Sequence, residues 1–169
     1  MITRQCIQEI QEMVISVLNV TKKKEYSCSY MSALLFAQMN DNLPISPKFV
    51  AGSLTLRNEL IFSHYPILPA LRSNLDFSEL WNGHAWVEVE DLIFDPSIFF
   101  TIYSPSTPKH LQNKFEKTFN GKHDYLIGNR AKLEESGIIY KIYEDLSDDD
   151  ATVLIKSGFS AGFLDERIC

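Results

Sequence analysis

Ile7, Ile10, Val14, Val17 and Leu18 recur at helical spacing and predict a first helix over about residues 3–20. Lys22, Lys23 and Lys24 follow its carboxyl end, where positive charge is favoured. A second helix is predicted from Cys28 to Asn40, with Ser27 as its cap. Met31, Leu34, Leu35 and Gln38 take its buried side, and Ala33 permits a close neighbour. So apolar a helix is expected in the core rather than at the surface.

The pattern then changes period. Asp41 to Pro47 is a turn-rich break. Phe49 to Leu56 reads as a strand containing Gly52, and Glu59 to Phe62 returns antiparallel after an Arg57-Asn58 turn. Residues 63–83 carry Pro66 and Pro69 without firm periodicity, and read as a loop or a short helix near the site. After Pro105 and Pro108, a helix is expected over residues 109–119 and a strand over 137–143. A short helix over 148–156 is expected to start on Asp148, Asp149 and Asp150, where acidic residues are favoured.

A hairpin from His84 to Asp95 is the sharpest inference. Alternation puts Ala85, Val87 and Val89 on one face and His84, Trp86 and Glu88 on the other. With Glu90-Asp91 as the turn, Val89 pairs with Leu92 and Val87 with Phe94. That register sets Trp86 opposite Asp95 and makes His84 the diagonal neighbour of Asp95 on the same face.

Composition adds limits. The 169 residues are 45% hydrophobic and 12% aromatic, enough for one domain with a real core and against disorder. A net charge of -6 with scattered basic residues argues against a nucleic-acid partner. Gln5, Gln8, Glu9, Gln11 and Glu12 interrupt any signal-peptide core, and no apolar run nears the roughly 20 residues that cross a bilayer. No membrane partner is therefore expected. Cys6, Cys28 and Cys169 are odd in number with no close pair, unlike a disulfide framework or a metal knuckle. The default location is a reducing cytoplasm, with signal-independent export left open. His64, His84, His110 and His123 have no zinc-ligand spacing, Asp148 to Asp150 reads as a helix start, and no phosphate loop appears. No cofactor or metal is implied.

Cys28 lies in the first turn of the second helix, where free N–H groups and the helix dipole favour a thiolate. His84 is placed to act as its base and Asp95 to orient that base. Each has a plain structural alternative: a small core cysteine, a strand histidine, a turn aspartate before proline. Shared order and hairpin geometry are what point to chemistry. Tyr26, Ser29, Trp81, Asn82 and Trp86 are candidates for the adjoining substrate groove. For Trp86 a core position is an equal alternative, and Asn82-Gly83 also suits a turn.

His84-Ala85-Trp86-Val87-Glu88-Val89, closed by Asp95-Pro96-Ser97, resembles the transglutaminase-like superfamily of papain-related thiol enzymes. The resemblance covers about residues 26–97 of the chain. It implies an α+β domain over residues 1–169, with the nucleophile helix packed on a mainly antiparallel sheet. It implies Cys28 as nucleophile, His84 as base and Asp95 as orienting acid. Ala33 would pack the helix, and Phe49-Val50-Ala51-Gly52 would be the strand that follows. Tyr26-Ser27 departs from the glycine or aromatic residue that many members carry ahead of the cysteine. The expected activity is hydrolysis of an amide in a peptide or protein, as a peptidase or a glutamine deamidase. Acyl transfer on the same fold, or a non-catalytic peptide-binding module, is the alternative.

Overall fold

The computed structural model describes residues 1–23, 25–73, 77 and 80–165. Helix α1 (Arg4–Val20) begins at Thr3, whose side chain accepts from the Cys6 N–H, and buries Ile10, Val14, Val17 and Leu18. Helix α2 (Cys28–Asn42) is buried on every side through its first nine residues, Cys28 to Phe36. It has no single apolar stripe, because α1, the sheet and the last helix of the chain enclose it. Gln38 is only partly buried. Ser27 is the N-cap residue but makes no side-chain capping bond; its hydroxyl lies 3.9 Å from Met31 Sδ. The expected capping role is therefore not taken. Ser27 itself sits in helical geometry, rather than the extended geometry that aims a cap side chain at the first turn.

Strands β1 (Lys48–Leu56) and β2 (Glu59–Phe62) form a hairpin through Arg57 and Asn58, both at positive φ, which suits a two-residue turn. A short helix α3 (Leu68–Ser73) follows. Strands β3 (His84–Val89) and β4 (Leu92–Asp95) pair in the expected register, Val89 with Leu92 and Val87 with Phe94. Helices α4 (Ile98–Ile102) and α5 (Lys109–Thr118), strand β5 (Leu126–Asn129) and helix α6 (Arg130–Glu135) come next. Strand β6 (Ile138–Leu146) and helix α7 (Asp148–Ser160) close the described chain. Of these, α4, β5 and α6 have no counterpart in the sequence pattern, while β6 and α7 run longer than their patterns suggest.

The sheet is antiparallel throughout. One edge of β1 pairs with β6 along nearly its whole length. Its other edge is shared: Lys48 to Gly52 pair with β3, and Leu54 to Leu56 with β2. His84, opposite Gly52, therefore starts β3 where β1 changes partner. Gly52 is required there, since a Cβ would lie 1.8 Å from the Lys141 carbonyl oxygen and 2.9 Å from the Trp86 ring.

Alternation divides the core in two. Phe49, Ala51, Ala85, Val87 and Phe94 face α1, α2 and α7. Val50, Leu54, Trp86, Ile93 and Tyr140 face α4 and α5 on the opposite side. Pairing of β6 with β1, and packing of α7 on α2, draw the C-terminal part of the chain into this same core.

Candidate functional site

Cys28 is the first residue of α2 and is 2% exposed. Tyr26, two residues earlier, is held at φ 68, a left-handed conformation that turns the chain into the helix. The Cys28 thiol lies 3.7 Å from the Gly83 carbonyl oxygen. This contact brings the start of the helix against the start of β3, where His84 stands next in the chain.

His84 and Asp95 are both fully buried, and His84 Nε2 lies 2.5 Å from Asp95 Oδ2. The pair is the diagonal one that the hairpin register implies. Phe62 stacks on the imidazole at 4.7 Å between ring centroids and 14° between planes, and the Trp86 ring lies 6.0 Å away. Nδ1, the other ring nitrogen, is buried without a hydrogen-bond partner among the described residues. Burial alone would lower the imidazole pKa. The Asp95 carboxylate, by charge and by hydrogen bond, outweighs burial, the nearby Cys28 side chain acts in the same direction, and the pKa is raised to about 10.

Asp95 divides its work between its oxygens. Oδ1 accepts from the Ser97 N–H at 3.1 Å, the Ser97 hydroxyl at 3.2 Å and the Ile98 N–H at 3.0 Å. That is the turn role of an aspartate before proline, and it fixes the start of α4. Oδ2 accepts from His84 and from the Tyr140 hydroxyl, the latter at 2.8 Å. Asp95 thus holds the turn with one oxygen and His84 with the other.

A cleft of about 300 Å³ opens onto the thiol, with Tyr26, Phe62, Tyr65 and Trp81 as its aromatic walls and Asn82 and Gly83 beside Cys28. Trp81 is fixed by its indole N–H, which donates to the Tyr65 carbonyl at 2.8 Å, and the Tyr65 N–H donates to the Asn82 carbonyl at 3.2 Å. Glu25 also lines the cleft and accepts from the Ser106 N–H at 3.3 Å. Its hydrogen bonds from Ser106, then Ser104, hold the carboxyl below its ordinary range against the opposing effect of burial.

Of the five residues proposed from sequence for a groove, Tyr26, Trp81 and Asn82 line this cleft, and Ser29 and Trp86 do not. Ser29 is 1% exposed within α2. Trp86 is fully buried in the core beneath α4 and α5, where its indole donates to Glu88 Oε1 at 2.7 Å. Alternation on β3 puts Trp86 on the His84 face, and that face is covered along the whole strand, His84 included.

Tyr140, Ser97 and Phe62 were not among the residues marked by sequence. Ser97 had a signal, since an aspartate commonly bonds backbone and hydroxyl groups two residues on. Tyr140 and Phe62 had none, because each reaches the site through strand pairing.

The other histidines lie apart: His64 pairs with Glu144, His110 with Glu59, and His123 contacts the Phe119 carbonyl. Among the described residues no three His, Cys, Asp or Glu side chains gather to hold a metal ion. No helix among them is long and apolar enough to cross a membrane. Cys169 lies outside the described residues. Comparison of the chain with protein-family models, curated proteins and solved structures finds no match.

Proposed function

We propose that the protein is a thiol-dependent amide hydrolase acting on a peptide or protein, built on a transglutaminase-like core. The observation that carries this reading is the buried His84–Asp95 pair at 2.5 Å, set beside Cys28 at the head of a cleft. A cationic imidazole next to a thiol stabilises the thiolate. Cys28 Sγ attacks the carbonyl carbon of the amide and the carbonyl electrons move to oxygen. The N–H of Cys28, outside the hydrogen-bond ladder of its own helix, faces the developing oxyanion.

Collapse of the tetrahedral intermediate breaks the C–N bond. His84 gives its proton to the leaving nitrogen, and a thioester on Cys28 remains. With Nε2 committed to Asp95, Nδ1 is the nitrogen that exchanges protons. Water then attacks the thioester carbonyl as His84 takes its proton, the C–S bond breaks, and the carboxylic acid leaves with the thiolate–imidazolium pair restored. A primary side-chain amide yields ammonia by the same steps, and a backbone amide yields a new amino terminus. Cys6 and Cys28, both free thiols, suit a reducing cytoplasm as the place of action.

The test is the pH dependence of Cys28 alkylation by iodoacetamide, followed by peptide mass spectrometry, in wild type, Cys28→Ala and His84→Ala. Rapid labelling at about pH 6–7 that slows on loss of His84 is expected. Labelling that rises only near about pH 8.5, indifferent to His84, overturns the reading and leaves a peptide-binding module.

A further inference from the structure

We infer that Tyr140 is a positioning residue for this site, acting through Asp95 rather than on substrate. The inference rests on the reading of Cys28, His84 and Asp95 proposed above. Tyr140 stands on β6, 45 residues beyond Asp95, and its hydroxyl donates to Oδ2, the oxygen that accepts from His84. Oδ1 is already occupied by Ser97 and Ile98. The carboxylate therefore cannot rotate away from His84 without giving up bonds at both oxygens.

Tyr140 also governs how much charge His84 faces. Burial and the neighbouring Asp95 charge hold its phenol pKa well above the ordinary value, so the hydroxyl stays a donor throughout the working range. A donor on Oδ2 draws negative charge away from the imidazolium and from the thiolate beyond it.

The placement of Tyr140 is fixed from several sides. Its ring meets the Trp86 ring edge-on at 4.9 Å, and Arg130 Nη1 donates to its backbone carbonyl at 2.7 Å. Arg130 also bonds Glu88, and Glu88 accepts from Trp86, so the four residues close on one another. A tyrosine that only filled the core would need neither the hydroxyl nor its aim at Oδ2.

Tyr140→Phe keeps the ring and removes the donor. Asp95 Oδ2 then carries more unshared charge, which repels the thiolate across a ring that is already protonated in this range. The midpoint of Cys28 alkylation is expected to move upward by about one pH unit. Replacing Tyr140 with 3-fluorotyrosine, a stronger donor on nearly the same ring, is expected to move the midpoint downward. This second variant serves equally if the phenylalanine variant does not fold.

An unmoved midpoint in a folded variant, or a shift opposite in sign, overturns the role of Tyr140 while His84→Ala still slows labelling. Labelling indifferent to His84→Ala overturns the underlying reading, and this inference with it.

Discussion

His84 Nε2 and Asp95 Oδ2 stand 2.5 Å apart with neither side chain exposed, and every other bond that Asp95 accepts comes from a donor. An asparagine fits that arrangement only with its NH₂ on the Oδ2 side, which makes the Tyr140 hydroxyl and His84 Nε2 acceptors. His84 is then neutral and in the other tautomer, with its proton on Nδ1. On the mechanism proposed above, Asp95→Asn is therefore expected to lower thiol-dependent turnover by about 10³–10⁴-fold, by analogy with loss of the orienting carboxylate in known triads. Turnover of an identified amide substrate, with circular dichroism to confirm folding, checks it. Retention of more than about a tenth of the activity would mean that His84 does not depend on Asp95.

The same pair makes stability depend on pH. The folded-state pKa of His84, about 10, lies above the ordinary imidazole value of 6.5 that holds in the unfolded chain. The ring then binds its proton more tightly when folded, so the stabilisation is complete below pH 6.5 and is lost as pH rises towards 10. The expected loss is on the order of a few kcal/mol. Urea denaturation at a series of pH values measures it, and His84→Gln should flatten that part of the curve. A wild-type curve level across the window would show that the imidazole is not held protonated.

Much of this site was legible because the β3–β4 turn is short. Once Glu90-Asp91 is taken as the turn, the alternation of β3 places His84 and Asp95 on one face. Helix α1 was legible from its stripe. Tyr140 was not, because its approach depends on the pairing of β6 with β1, which shifts register between Ala51 and Gly52. No local pattern encodes that shift. The four residues of β5 and the five of α4 are likewise too few to show a period. Trp86 was left between groove and core because alternation assigns a face and does not say what covers it.

Gly52 gives a test of the fold that is independent of the chemistry. A methyl group there meets the Lys141 backbone carbonyl at 1.8 Å and the Trp86 ring at 2.9 Å. The carbonyl belongs to a paired strand and the ring to a filled core, so neither can move without loss. Gly52→Ala should destabilise the protein by about 3 kcal/mol or more, as overpacking or a broken strand ladder does. Chemical denaturation reads the change directly. A loss below about 1 kcal/mol would show that β1 and β6 do not pair as described.

Glu144 offers a way to loosen the cleft without touching the Cys28 thiol or the His84 imidazole. Its carboxylate accepts from the Ile67 N–H at 2.9 Å, the Leu68 N–H at 3.2 Å and His64 Nε2 at 2.9 Å. It thereby pins the segment that carries Ser63 and Tyr65 into the cleft wall, and Tyr65 in turn holds the Trp81 indole. Glu144→Ala leaves three donors without their acceptor. The amides of residues 67 and 68 should then exchange on the order of ten- to hundredfold faster, which hydrogen exchange with mass spectrometry resolves. Substrate binding should weaken several-fold through the displaced wall, while Cys28 alkylation by the small reagent iodoacetamide stays near the wild-type rate. An equal fall in both would place Glu144 in support of the His84–Asp95 pair itself, and unchanged exchange at both amides would show that the wall is held by other contacts.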